Sequence, residues 1–81
     1  MKVRLLLFGP LAEAVDGDEL LLEIPSGARV ADVVAAACER APALAPYARS
    51  VAVAVDQQFA PRDRVVAEGE ELALIPPVSG G

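Results

Sequence analysis

Gly69-Glu70-Glu71-Leu72-Ala73-Leu74-Ile75-Pro76-Pro77-Val78-Ser79-Gly80-Gly81 is the stretch whose reading decides the fold. Glycine among glutamates marks a turn, and Leu72 to Pro76 alternates as a strand, with Leu72 and Leu74 on one parity and Ala73 and Ile75 on the other. Pro76-Pro77 then fixes φ at consecutive residues and favours a stiff, extended exit. Beyond Pro77 the chain is expected to run as a flexible tail, residues 78–81, with a reach of about 13–14 Å. Gly80 and Gly81 lack Cβ atoms, so the tail is expected to thread a channel too narrow for any side chain. They also leave the Gly81 carboxylate unhindered, a candidate for activation as an acyl-adenylate followed by nucleophilic attack.

Working back from this tail, residues 1–77 read as one domain, and the β-β-α-β-β order predicts an α+β fold. Met1 to Phe8 and Glu19 to Ile24 are predicted strands, joined through Gly9-Pro10, a short helical turn and Asp16-Gly17-Asp18. Val30 to Ala41 is the one convincing helix, with Val30, Val33, Val34, Ala37, Cys38 and Ala41 on a common face. Arg29 occupies its N-cap, which leaves Ser26 or water to satisfy the first amides. Leu44 to Tyr47 reads as a connector. Val51 to Val55 reads as a buried central strand, and Gln58-Phe59-Ala60 and Val65-Val66 as short extended pieces.

Composition narrows the chemistry. The sequence has 81 residues, one cysteine, no histidine and a net charge of −5. A disulfide framework and a zinc site are excluded, and no metal site is expected. Without histidine there is no Ser/His or Cys/His pair, so any part in catalysis is that of a substrate or carrier. The acidic balance disfavours nucleic acid and anionic membranes and suits a basic partner surface. No apolar run is long enough for a membrane span and no signal-peptide pattern is present, so the expected location is cytoplasmic.

The layout and its ending resemble the ubiquitin-like β-grasp sulfur carriers, and among them the small subunits of molybdopterin synthase. Besides the 69–81 stretch, the resemblance rests on Lys2-Val3-Arg4-Leu5, Glu13-Ala14-Val15, Val30-Ala31-Asp32-Val33-Val34 and Val53-Ala54-Val55-Asp56. Asp56 in place of Asn and Arg29 in place of Thr depart from the common pattern without touching the tail. The resemblance implies a mixed sheet of four to five strands with the helix on one face. It also implies that an adenylating enzyme uses ATP to activate Gly81, that a sulfur donor protein supplies a C-terminal thiocarboxylate, and that the chain itself binds no cofactor. Val78, Ser79 and Gly80 would thread a pocket of the large synthase subunit, in a heterotetramer of two large and two small subunits. The sulfur would pass to precursor Z (cyclic pyranopterin monophosphate).

Phe8, Phe59 and Ile75, with Pro76 and Pro77, are the expected partner-binding residues; the resemblance places apolar side chains there against the large subunit. The alternative for Phe8, Phe59 and Ile75 is core packing, since a one-residue slip of register exchanges the two faces. Cys38, on the apolar stripe of the helix, reads as a core residue rather than a sulfur relay. Arg62-Asp63-Arg64 reads as a surface loop. Three functions fit: the synthase subunit; a related carrier or protein modifier acting through the same terminus; and a β-grasp binding module with no chemistry at Gly81.

Overall fold

Alternating apolar residues build one five-stranded mixed sheet. The computed structural model describes residues 1–77. Strands β1 (Lys2–Leu7) and β2 (Glu19–Glu23) pair antiparallel across the short helix α1 (Pro10–Val15). Helix α2 (Val30–Arg40) and a 3₁₀ turn (Pro42–Tyr47) precede β3 (Ala52–Val55), β4 (Gln58–Ala60) and β5 (Leu72–Ile75). The strand order is β2-β1-β5-β3-β4, with β1 and β5 parallel and the other pairs antiparallel.

Strand parity sets the core. Val3, Leu5 and Leu7 of β1, Leu22 of β2, Val53 and Val55 of β3, and Leu72 and Leu74 of β5 are buried on one face. Helix α2 covers that face with Val30, Val33, Val34 and Ala37, the spacing of a single helical stripe. Leu11 of α1 and Leu44 of the 3₁₀ turn, two elements in contact with each other, are buried in the same core. Cys38 is half-buried against the core, and burial pushes its thiol pKa up against a smaller opposing pull from Arg62. No helix is long and apolar enough to cross a membrane among the described residues.

Two sequence expectations are corrected here. The central strand is β5, not β3; the β-branched run of β3 reflects a face buried under α2, which does not depend on lateral rank in the sheet. The short extended piece at Val65-Val66 joins no strand of the sheet and lies against the start of α2, with Val65 in a single bridge to Arg29 and the Val66 N–H donating to the Ala28 carbonyl at 2.8 Å. The first amides of α2 are satisfied by neither Ser26 nor water. The Val30 N–H donates to the Arg64 carbonyl and the Ala31 N–H to the Arg62 carbonyl, both at 2.9 Å, while the Asp32 carboxylate accepts the Arg29 N–H at 2.8 Å.

The surface loop 62–64 is therefore the helix cap, and side chains hold it in place. Arg64 grips Glu70 through a two-pronged pair at 2.8 and 2.9 Å, and Glu70 also accepts the Ala67 N–H at 2.7 Å. These donors hold the Glu70 carboxyl pKa down at about 2, with the Arg64 hydrogen bond the largest cause. Arg62 donates to the Ala48 and Val51 carbonyls, both at 2.9 Å. The acidic turn that closes on β5 thus ties two distant segments to the start of α2.

Candidate functional site

The sheet face away from α2 carries a groove of about 310 Å³. Its origin can be read from the register. Leu6 of β1 pairs with Ala73 of β5, Ala73 with Ala54 of β3, and Ala54 with Phe59 of β4. Paired residues point to the same face, so one row crosses four strands with two methyl groups in the middle and large side chains at both ends. Ala54 and Ala73 make the floor, Leu6, Phe8, Phe59 and Ile75 the apolar walls, and Gln57 and Glu71 the polar rim.

The structure brings Phe8, Phe59 and Ile75 together at this groove and outside the core cluster. Phe59 is 75% exposed and Phe8 47%, while Ile75 is half-buried. Large apolar side chains left in water around a concave surface are characteristic of a protein-binding site. Pro76 is half-buried and Pro77 exposed, so the chain leaves the sheet directly after the groove wall at Ile75. The expected tail residues Val78, Ser79, Gly80 and Gly81 lie outside the described residues.

Two local devices aim these walls. Gly9 has φ +54° and ψ −131°, a region closed to L side chains, and a Cβ there would stand 3.6 Å from Pro76 Cγ. The glycine turn thereby seats the end of β1, with Phe8, beside the exit of β5. At the other wall, Asp56 and Gln57 both have positive φ, 49° and 70°, as a two-residue hairpin turn of the right twist requires. Asp56 is locked to the base of β5: its N–H donates to the Glu71 carbonyl at 2.8 Å and its carboxylate accepts the Glu71 N–H at 2.9 Å. The β3–β4 turn is fixed to β5, and this places Phe59 across from Leu6.

Beyond the groove the same face turns polar, with Lys2, Arg4 and the Arg4–Glu19 pair at 2.7 Å, which raises the Arg4 pKa further. Among the described residues no side-chain cluster could hold a metal, and every polar or charged side chain reaches the surface. Leu6, Ala54, Ala73, Gln57 and Glu71 were not among the expected site residues. The parity of β1 and β5 already placed Leu6 with Phe8 and Ala73 with Ile75. Ala54 and the rim needed the lateral order of strands, which periodicity does not carry.

A model of the ThiS family matches residues 5–81. The chain belongs to the ThiS family. It is 35% identical to the molybdopterin synthase sulfur carrier subunit of Mycobacterium tuberculosis, over all of this chain and 99% of that protein. Among solved structures, the fold of this ThiS-family chain matches SAMP1 of Haloferax volcanii, a small archaeal modifier protein, at 30% identity and a TM-score of 0.86 with both chains fully covered. It also matches a chain from the complex of subunits 1 and 2 of the Helicobacter pylori molybdopterin-converting factor, at 20% identity and a TM-score of 0.70, again over both full chains. These likenesses establish the ubiquitin-like β-grasp.

Proposed function

We propose that this chain is the sulfur-carrier subunit of a molybdopterin synthase. A partner enzyme transfers AMP from ATP to the Gly81 carboxylate and releases pyrophosphate. A sulfur donor then displaces AMP, leaving a thiocarboxylate that gives its sulfur to precursor Z as the dithiolene of molybdopterin is built. The large synthase subunit grips the body through the apolar groove while its own pocket receives the tail, with Val78, Ser79 and Gly80 threading it. The observation that carries this reading is the position of the groove: Ile75 is both its wall and the last strand residue before Pro76-Pro77. A partner seated on Phe8, Phe59 and Ile75 therefore has the start of the tail under its edge. The end-to-end likeness to the mycobacterial molybdopterin synthase sulfur carrier subunit supports it.

Intact mass tests the first step. Incubation with the adenylating enzyme, ATP and a sulfur source adds about 16 Da, the difference between oxygen and sulfur, as covalent activation of a carboxylate requires. An unchanged mass with an adenylating enzyme active on a known carrier refutes the proposal.

The likeness to SAMP1 favours a second reading, in which the same activated carboxylate is attacked by a lysine amine of a target protein. Lys2 is the only lysine of this chain, which restricts it to single conjugation or chains through one site. Lysine-linked conjugates after activation would support this reading; sulfur transfer to precursor Z would support the first.

A further inference from the structure

Phe59 is the most exposed wall of the groove, with 75% of its surface in water, so packing does little to hold it. Its place is set by the backbone of β4. That strand is three residues long, lies at the edge of the sheet and pairs with β3 alone among the described residues. A short edge strand with one neighbour opens readily unless its ends are tied. The far end is tied by the loop that caps α2: the Arg64 N–H donates to the Pro61 carbonyl at 3.2 Å, and the Arg62 carbonyl accepts the Ala31 N–H at 2.9 Å. The near end is tied by Asp56.

Asp56 makes its tie with a side chain in the place of a backbone group. In an antiparallel pair, alternate residues exchange two bonds, each N–H donating to the other's carbonyl. The register of β3 with β5 pairs Ala52 with Ile75 and Ala54 with Ala73, and the next rung of that series sets Asp56 opposite Glu71. Half of the exchange is ordinary, the Asp56 N–H donating to the Glu71 carbonyl at 2.8 Å. At φ 49°, however, the chain has already turned toward β4. The Glu71 N–H donates instead to Oδ1 of the Asp56 carboxylate, at 2.9 Å. A side-chain oxygen thus supplies the last rung of the β3–β5 ladder while the backbone makes the hairpin turn. Gln57 and Phe59 follow directly from this anchor, and Asp56 itself does not line the groove.

We infer that Asp56 is a positioning residue for docking: its carboxylate oxygen, standing in for a backbone carbonyl opposite Glu71, holds β4 where Phe59 completes the groove wall. The inference rests on the docking reading given above. Without the bond, β4 samples other placements, and the large subunit meets a complete groove only in the fraction of molecules whose turn is closed. Apparent affinity falls by that fraction. The loss lies in the association rate, because the complex once formed has the same contacts. The position requires an acceptor on a short side chain and tolerance of positive φ, and asparagine offers both. The negative charge is not required.

Surface plasmon resonance with the large synthase subunit tests this on Asp56→Gly, Asp56→Asn and Phe59→Ala, with urea midpoints recorded alongside. Glycine accepts the positive φ and lacks the acceptor. Asp56→Gly is expected to associate about tenfold more slowly with an unchanged dissociation rate, and Asp56→Asn to stay within about twofold of the parent in both. Phe59→Ala loses affinity mainly through faster dissociation, as a contact residue does. In the free chain, hydrogen exchange at the Glu71 amide is about tenfold faster in Asp56→Gly and parental in Asp56→Asn. If Asp56→Gly does not fold, Asp56→Glu replaces it: the charge stays, the oxygen moves out by a methylene, and the same slow association is expected. Parental binding by Asp56→Gly beside a weakened Phe59→Ala overturns the inference and leaves the docking reading standing. Parental binding by both overturns the docking reading, and the inference with it. An equal loss in Asp56→Asn and Asp56→Gly, or a loss carried by dissociation, makes Asp56 a direct contact and overturns the inference. So does a Glu71 amide that exchanges at the parental rate in Asp56→Gly.

Discussion

Phe59→Ala separates a docking residue from a packing one, because the structure fixes both sides of the comparison. A phenylalanine side chain buries about 150–250 Å² when fully covered. With 75% of Phe59 in water, about 110–190 Å² remains for a partner to cover. At about 25 cal/mol/Å² that corresponds to about 3–5 kcal/mol for complete covering. Alanine keeps its own Cβ contact and covering is seldom complete, so a loss of about 2 kcal/mol is expected, roughly a 30-fold weaker Kd. In the free domain the same change removes only the quarter of the side chain that rests on the sheet, about 40–60 Å², costing about 1–1.5 kcal/mol. Calorimetric titration against the large synthase subunit reads the first quantity and urea unfolding of the isolated chain reads the second. An affinity within about twofold of the parent refutes the docking role. A large loss of stability with normal binding by the folded fraction would make Phe59 a core residue.

Ala73→Leu should fill the groove from its floor, leaving the urea midpoint near that of the parent while weakening large-subunit binding at least as much as Phe59→Ala; unchanged binding would show that the groove stays empty in the complex. Glu70→Gln should lower stability at pH 7 by about 1 kcal/mol, a value reduced for solvent screening of a surface pair. Because folding depresses the Glu70 pKa to about 2, its contribution is complete above the unfolded value of about 4.3 and fades as the pH falls toward 2. Urea midpoints of parent and variant should therefore converge between pH 4.3 and 2, and a gap that persists at pH 2 would contradict the ion-pair origin. Gln57→Gly should raise stability by about 0.5–1 kcal/mol in thermal melts, since it relieves a side chain held at φ 70°; a destabilised variant would show that Gln57 makes contacts worth more than the strain.

Much of the fold was legible where it depends on local pattern. The alternation in β1, β2 and β5 separates Val3, Leu5 and Leu72 from Phe8 and Ile75, and the 3.6-residue spacing picks out the buried stripe of α2. What could not be read was anything decided by segments far apart in the chain. Ala54 and Ala73 are unremarkable alanines until β3 and β5 are known to be neighbours in a given register, and only then do they become the floor of a groove. The cap of α2 depends on backbone carbonyls of Arg62 and Arg64, groups that every residue possesses and no side-chain motif announces. Arg29 breaks the N-cap preference because the loop at 62–64 has taken over the task. For the candidate site, Phe8 and Ile75 followed from parity, Phe59 from its being one of only two phenylalanines and from the family resemblance, and the rim residues from neither.

The parallel pairing of β1 with β5 joins the first and last strands of the chain, Leu5 lying opposite Leu72 at the centre of the sheet. Until β5 arrives, the hairpins β1–β2 and β3–β4 have a vacant lane between them, and the core face has no middle. Closing the sheet requires contacts of very large sequence separation, a topology that slows folding. Residues up to Ile75 must all have been made before the lane can be filled. A chain cut short ahead of Leu72 lacks the middle of the sheet, so the strand that leads to the tail is also the one that completes the core.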